Sequence, residues 1–597
     1  MHQKLLRRWC DGLLKYQIHD TGDARLDGGL LCPACMRIHG RCADAILPLV
    51  AQWQADGDLR CLHAAEALFR WSDNMRRPDG SMNNDVDSSW NGITVFYANA
   101  LGETLLWYGD VLPPADRTAW TARFAEMVAY LYHHTEVILE NNINYSVSCA
   151  YTMALAQQIL DGDGRYGALA RKLARRGAAQ LSEDGFLYGE GYPNDTLTAK
   201  HCRPVDLGYN VEESLPALVL YARLTGDEAA EATARNLCRS HLAFLLPDGG
   251  WDNSFGSRNY KWTWWGSRTS DGCAAAFALL GETEPVFAAA VQRNLEQLDR
   301  CTRDGLLYGG PMYHAAGEPP CIHHTFCHAK AVAALVHDGW QPPADLPPLP
   351  VETAAGTRYY PSVDTVRLIQ GDWIADVTGY DFVYLSGGHP TGGMLSLLWH
   401  GRRGPVLAGS MDPYRQHEPN NMQMPRYASE LCSTPRIEVR RQQGRFGSDQ
   451  DLTAQLQWNG LHTHAVGKLR TASQQEAGCY TFDVTMEEET VILTGSCDQP
   501  DAEFLLPVIT PEGEPLCWQD DHTVRLGSGK TALTVRSDRP IALPREYGTK
   551  ECFRRQFDPV GGFQTVVLAV PACGDFTVTL CVEETDQTET TRKGDSQ

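Results

Sequence analysis

The chain has no apolar run of membrane-spanning length, which excludes a hydrophobic transmembrane helix. Positive charge is scarce: 52 Lys and Arg stand against 74 Asp and Glu, for a net charge of −22. A general nucleic-acid or membrane-surface binder needs a basic field, so neither partner is expected. The opening stretch MHQKLLRRWCDGLLKYQIHD lacks a signal-type apolar core, because Asp11, Lys15 and His19 interrupt every candidate run. The expectation is a cytoplasmic protein whose 19 cysteines are mostly buried, reduced thiols; a periplasmic or secreted location would follow if a signal had been removed. There is no G-x-S-x-G elbow, no P-loop, and no G-x-G-x-x-G between a strand and a helix. Serine hydrolase, nucleotide-dependent and dehydrogenase chemistries are disfavoured accordingly.

What is present is a long helical region followed by a region of strands. Amphipathic patterns recur through residues 1–340 at about 4–18, 42–54, 58–76, 91–108, 115–137, 145–160, 166–181, 208–225, 228–246, 268–281, 284–299 and 326–338. They pair into hairpins that most simply close into an (α/α)6-type toroid with alternate helices inside and outside. Residues 341–358 are proline-rich and read as a linker. From 359 to 583 short β-branched segments such as TVRLIQ, WIADVT, ETVILTG and FQTVVLAV predict an antiparallel β-sandwich. Residues 584–597 lack hydrophobic side chains and read as a disordered tail.

Polar and aromatic segments precede each expected inner helix, and so gather at one mouth of the ring. Free N–H groups and the positive dipole end there suit an anionic ligand. KHCRPVDLGYNVEESLPALVLYARLTGD carries His201, Arg203 and Tyr209 within nine residues, just before an apolar helix. A capping tyrosine is the bland alternative; the cluster favours function. ENNINYS supplies Asn141, Asn142 and Asn144, where one cap needs one Asn. DGGWDNSFGSRNYKWTWWGSRTSDG interleaves Trp262 and Trp264 with Arg258, Lys261 and Arg268; such a loop is either a packed aromatic core or a sugar-stacking surface, and the cations favour the latter. Arg41, Trp90, Asn91 and His324 complete the candidate binding set. Cys32, Cys35, His39 and Cys42 have a compressed zinc-like spacing, and His314, His323, His324 and His328 form a cluster of expected cleft histidines.

With those motifs in hand, the chain resembles the heparinase II/III-like polysaccharide lyases, which join an (α/α) toroid to an antiparallel sheet domain. GYNVEESLPALVLYARLTGD resembles the segment bearing the family's catalytic tyrosine, which falls on Tyr209. ENNINY resembles the family's Asn-Asn-His segment and places the carboxylate-neutralising residue at Asn142; Ile143 stands where many members have histidine, leaving that role to His201 or to no residue. GGHPTGGMLSLLWHGRRGPVL resembles a sandwich motif usually reading His-Gly-His-Pro, of which His389 remains. Gly409 stands near the place of that family's metal-binding aspartate, so no cofactor is expected to be required, although a divalent metal is left open.

The resemblance implies β-elimination on an anionic, uronic-acid-containing polysaccharide or oligosaccharide. Neutralising the C6 carboxylate stabilises the enolate-like intermediate that forms when C5 loses its proton. Asn142, His201, Tyr209 and His389 are the expected catalytic set, with Arg203 assisting. Two rival classes are kept: a toroidal glycoside hydrolase using carboxylates among Glu190, Asp195, Asp206 and Asp252, and a non-catalytic glycan-binding protein.

Overall fold

The structure is a computed structural model and describes residues 1–85, 88–160, 163–191, 195–412, 432–544, 553–555 and 561–582. The tail expected at 584–597 lies outside the described residues. Among the described residues, twelve helices of seven or more residues build the first domain: α1 His2–Lys15, α2 Ile46–Asp56, α3 Leu59–Trp71, α4 Thr94–Tyr108, α5 Pro114–His133, α6 Ile143–Ile159, α7 Arg165–Ala179, α8 Leu215–Thr225, α9 Glu228–His241, α10 Ala274–Leu280, α11 Pro285–Arg300 and α12 Ile322–Asp338.

The even-numbered helices touch one another in the cycle α2–α4–α6–α8–α10–α12–α2, so the ring closes. Each odd-numbered helix packs behind one even-numbered partner, and α1 closes the ring by lying behind α12. Sequence decides which helix goes where. The inner helices are buried on nearly every face: Val95 through Leu105 of α4 and Ser146 through Ala156 of α6 are all buried. The outer helices bury one stripe, as in α7, where Tyr166, Ala170, Leu173, Ala174 and Gly177 face inward.

The second domain is a sandwich. A five-stranded antiparallel meander, β1 Gly356–Tyr360, β2 Thr365–Gln370, β3 Trp373–Thr378, β4 Met394–His400 and β5 Gly404–Ala408, packs on a thirteen-stranded sheet formed from residues 436–582. Val366, Trp373 and Leu398 of the first share one core with Val484, Leu493 and Phe504 of the second. The proline-rich connection is pinned rather than loose. Leu349 and Val351 are buried in the ring's core, and a short helix spans Pro350–Thr353.

The meander faces the ring mouth. Arg367 of β2 donates to Asp252 and to the Ala243 carbonyl of the ring, Lys200 reaches Asp364 at 3.0 Å, and the Tyr380 hydroxyl donates to the Arg203 carbonyl at 2.8 Å. These contacts fix the sheet loop 379–393 over the N-termini of the inner helices.

Candidate active site

A cavity of about 430 Å³ opens between the ring mouth and that loop. Its wall comes from the starts of the inner helices and the segments before them: Arg41, Asn84, Trp90, Asn142, Asn144 and Tyr145, then Tyr209, Glu213, Arg258, Lys261, Thr269 and His323. Tyr384 enters from the sheet domain.

Tyr209 sits in a short turn capped by Asp206, whose Oδ1 accepts the Tyr209 amide at 3.1 Å. The chain then widens into a π-helical turn over Asn210–Ser214 before α8, a distortion that helices often carry at functional sites. The Tyr209 hydroxyl accepts a hydrogen bond from Lys261 Nζ at 3.0 Å and pairs with the Thr269 hydroxyl. The Arg258 guanidinium lies 3.9 Å from the ring centroid. Arg258 is itself held by two fully buried carboxylates, Glu190 at 2.5 Å and Asp206 at 3.1 Å. Burial opposes its charge, and these carboxylates more than restore it. One tyrosine oxygen thus sits in a positive field that is fixed before any ligand arrives.

Asn142 occupies the N-cap position of α6 but makes no side-chain cap bond; its Oδ1 accepts the Gly191 amide at 3.4 Å. The three asparagines therefore do different work. Asn141 donates to the Val137 carbonyl, and Asn144 donates to Glu213. The Glu213 carboxyl is pushed up to about 8 by burial and by Asp271, against the pull of Arg41 and the Asn144 bond. Arg41 reaches Asp44 at 2.9 Å, Asp271 at 2.5 Å and the Thr269 carbonyl at 2.9 Å.

Of the expected residues, Asn142, Tyr209, Arg41, Trp90, Asn144 and Arg258 line the cavity. The others do not. His201 is an exposed turn residue at φ +64°, carried outward where segment 198–203 docks on the meander. Arg203 stacks over Tyr188, 4.1 Å from its centroid. His389 is buried with both ring nitrogens facing backbone carbonyls, Pro390 and Phe382, each at 2.9 Å, so it aims no nitrogen at a substrate or at a metal. Asn91 spends its amide on Tyr130 at 2.7 Å and Ser81 at 3.2 Å.

The aromatic loop is corrected most. Trp262 and Trp264 are fully buried, their indole N–H groups donating to the Trp251 carbonyl at 2.6 Å and to Asp248 at 2.7 Å. They form packed floor beneath the cavity. Arg268 turns into that floor and donates to the Tyr260 carbonyl at 2.8 Å. His324 packs edge-on against Trp265 in the core, and burial pushes its imidazole down to about 3. Its neighbour His323, about 100° around the helix, lines the cavity instead. Burial and the nearby Arg41 hold His323 neutral, and neither ring nitrogen has a hydrogen-bond partner. Thr269, Glu213 and Tyr384 are wall residues that the sequence does not single out, whereas His323 stands among the expected cleft histidines and Lys261 among the cations of the aromatic loop; nothing local marks Tyr384.

A closed helical ring capped by a β-sandwich is an architecture also found in solved polysaccharide lyases. A solved heparinase III shares it over 97% of this chain and 84% of that one, at 8% identity and a TM-score of 0.50. A chondroitin AC lyase of Streptomyces coelicolor A3 aligns over 97% and 82%, at 14% identity and a TM-score of 0.49. The family models described as the ulvan lyase N-terminal domain and the ulvan lyase C-terminal domain match residues 6–347 and 357–581. A broad-specificity ulvan lyase of Formosa agariphila is 36% identical over 585 residues, 94% of this chain and 90% of that protein. The chain belongs to the ulvan lyase family: it is a polysaccharide lyase acting on a uronic-acid polysaccharide.

Proposed function

We propose that the polymer is ulvan, cut by β-elimination with Tyr209 as the acid–base residue. The substrate reading is supported by the 36%-identical relative and by the two family models. The observation that carries the mechanism is the contact of Lys261 Nζ with the Tyr209 hydroxyl at 3.0 Å, with Arg258 against the same ring.

The uronate enters with its carboxylate toward Asn142 and the neutral His323. Hydrogen bonds from these groups quench the C6 charge as it spreads onto the enolate. Tyr209 acts as the tyrosinate, its negative oxygen held by Lys261 and Arg258, and takes the proton from C5. The electron pair of the C5–H bond becomes the C4=C5 double bond, and the C4–O4 bond breaks. The same hydroxyl then returns the proton to O4. One residue serves both steps, so the reading needs no second acid and assigns no chemical role to His201 or His389. It also routes no step through a cofactor.

The test is a panel of uronate polymers that includes ulvan, followed by the ultraviolet absorbance of the unsaturated end group. Growth of absorbance on ulvan with none on the others supports the substrate. New reducing ends without absorbance would mean hydrolysis and overturn the elimination.

A further inference from the structure

The loop between α1 and α2 brings three ligand atoms, two thiol sulfurs and one imidazole nitrogen, to one point. Cys32 Sγ, Cys35 Sγ and a ring nitrogen of His39 all lie within 4.8 Å of one another. The Cys35 Sγ to His39 Nε2 distance is 3.1 Å. Cys321, 289 residues further along the chain at the N-cap of α12, brings its Sγ to 3.9 Å from that of Cys32. Cys42, the fourth residue of the compressed spacing in the sequence, is not part of this group; Cys321 meets the group through Cys32.

We propose that Cys32, Cys35, His39 and Cys321 form a structural Cys3His zinc site. Three features of the geometry support it. The first is distance: zinc–sulfur bonds of about 2.3 Å at tetrahedral angles separate two thiolates by about 3.8 Å, and Cys32 and Cys321 stand 3.9 Å apart. The second is the local turn. The Met36 amide donates to the Cys32 carbonyl at 2.9 Å, the Cys32 amide to the Arg37 carbonyl at 2.8 Å, and Met36 takes φ +56°. That knuckle points both thiols of the C-x2-C to one side. The third is the imidazole. His39 Nδ1 faces Asp85 Oδ1 at 3.0 Å, both groups 1% exposed. A carboxylate behind the imidazole fixes its tautomer and leaves Nε2 to the metal, the arrangement that accompanies most zinc-bound histidines.

Four protein ligands leave no open position, so the metal would hold structure rather than do chemistry. What it would hold is the cavity wall. Arg41 follows His39 by two residues, and His323 follows Cys321 by two; both line the cavity. The His39–Asp85 bridge and the Gly40 amide on the Asn84 carbonyl at 2.6 Å tie in the segment that bears Asn84 and Trp90. One ion would therefore clamp three stretches of chain that meet at the substrate.

The test is the metal content of the full chain purified without chelator, by inductively coupled plasma mass spectrometry, alongside intact mass under denaturing conditions. The proposal expects about one zinc per chain, released into a chromogenic chelator when the thiols are titrated with an organomercurial. Cobalt in its place should show thiolate-to-metal charge transfer and the visible bands of a tetrahedral centre. Cys42→Ser should keep the zinc, Cys321→Ser should lose it, and Cys321→His should recover part of it. Wild-type chain that stays metal-free after zinc is added back would overturn the proposal, as would a Cys32–Cys321 disulfide, seen as a mass two hydrogens short. Both readings come from the wild type, so a variant that fails to fold does not obscure them, and neither depends on which polymer is cleaved.

Discussion

Glu213→Gln keeps the size of a buried side chain and its bond from Asn144, and removes one ionisation. In the folded protein the carboxyl is pushed up to about 8 by burial and by Asp271, against an ordinary value of 4.5. Between those two values the folded chain keeps a proton that the unfolded chain has released. Stability then falls as pH rises, because the unfolded state binds fewer protons. At 1.36 kcal/mol per pH unit, the interval amounts to about 5 kcal/mol lost by pH 8 and nothing lost below pH 4.5. Glutamine has no such dependence. The variant should match wild type near pH 4, become steadily more stable than it through neutrality, and hold a constant advantage above pH 8. Denaturant unfolding of both proteins across this range, followed by tryptophan fluorescence, measures the difference. Activity supplies a second reading: ionised Glu213 adds a negative charge to the wall of the cavity that must take an anionic sugar, so the wild-type KM should rise above pH 8 and the variant's should not. Stability curves that run parallel at every pH would refute the assignment of a protonated Glu213.

Four further replacements separate wall from floor and scaffold from chemistry. Arg258→Met strands Glu190 and Asp206, both fully buried, and should cost about 3–5 kcal/mol of stability; adding Glu190→Gln should recover part of the loss in a thermal melt. Trp262→Ala empties packed core and should cost about 3–5 kcal/mol with KM little changed in whatever folds. Trp90→Ala, at a residue 45% exposed, should stay within about 0.5 kcal/mol of wild type while KM rises several-fold in steady-state assays. His389→Gln should lower stability by about 1–3 kcal/mol through its lost carbonyl contacts and leave the pH profile of kcat in place; a displaced limb would return His389 to the chemistry.

The ring was legible because burial on all faces and burial on one stripe leave different sequence patterns. α4 and α6 carry apolar and small residues all round, whereas α7 alternates with Arg and Lys, and that alternation orders the helices. The gathering of polar segments at one mouth followed from the same order. Tyr209, Asn142 and Arg258 were legible as parts of clusters. Failures arose where position depends on contacts distant in sequence. Nothing in KWTWWGS distinguishes tryptophans that face a sugar from tryptophans that face Trp251 and Asp248. His323 and His324 differ only by one step around a helix whose rotation is set by its neighbours. His201 stands eight positions before Tyr209 but leaves the cleft because Lys200 and Thr198 are drawn to Asp364, Gly379 and Asp381 on the other domain. Cys321 becomes a partner of Cys32 only when α1 closes the ring against α12, which no local spacing encodes.

The account turns on the phenolic oxygen of Tyr209, and Tyr209→Phe removes that atom while leaving the ring under Arg258. Assayed on ulvan by the absorbance of the unsaturated product, the variant is expected to lose at least about 10³-fold in kcat, the scale of a lost acid–base group, with polymer binding retained in a direct titration. Turnover within a few-fold of wild type, in a protein that binds as before, would contradict it.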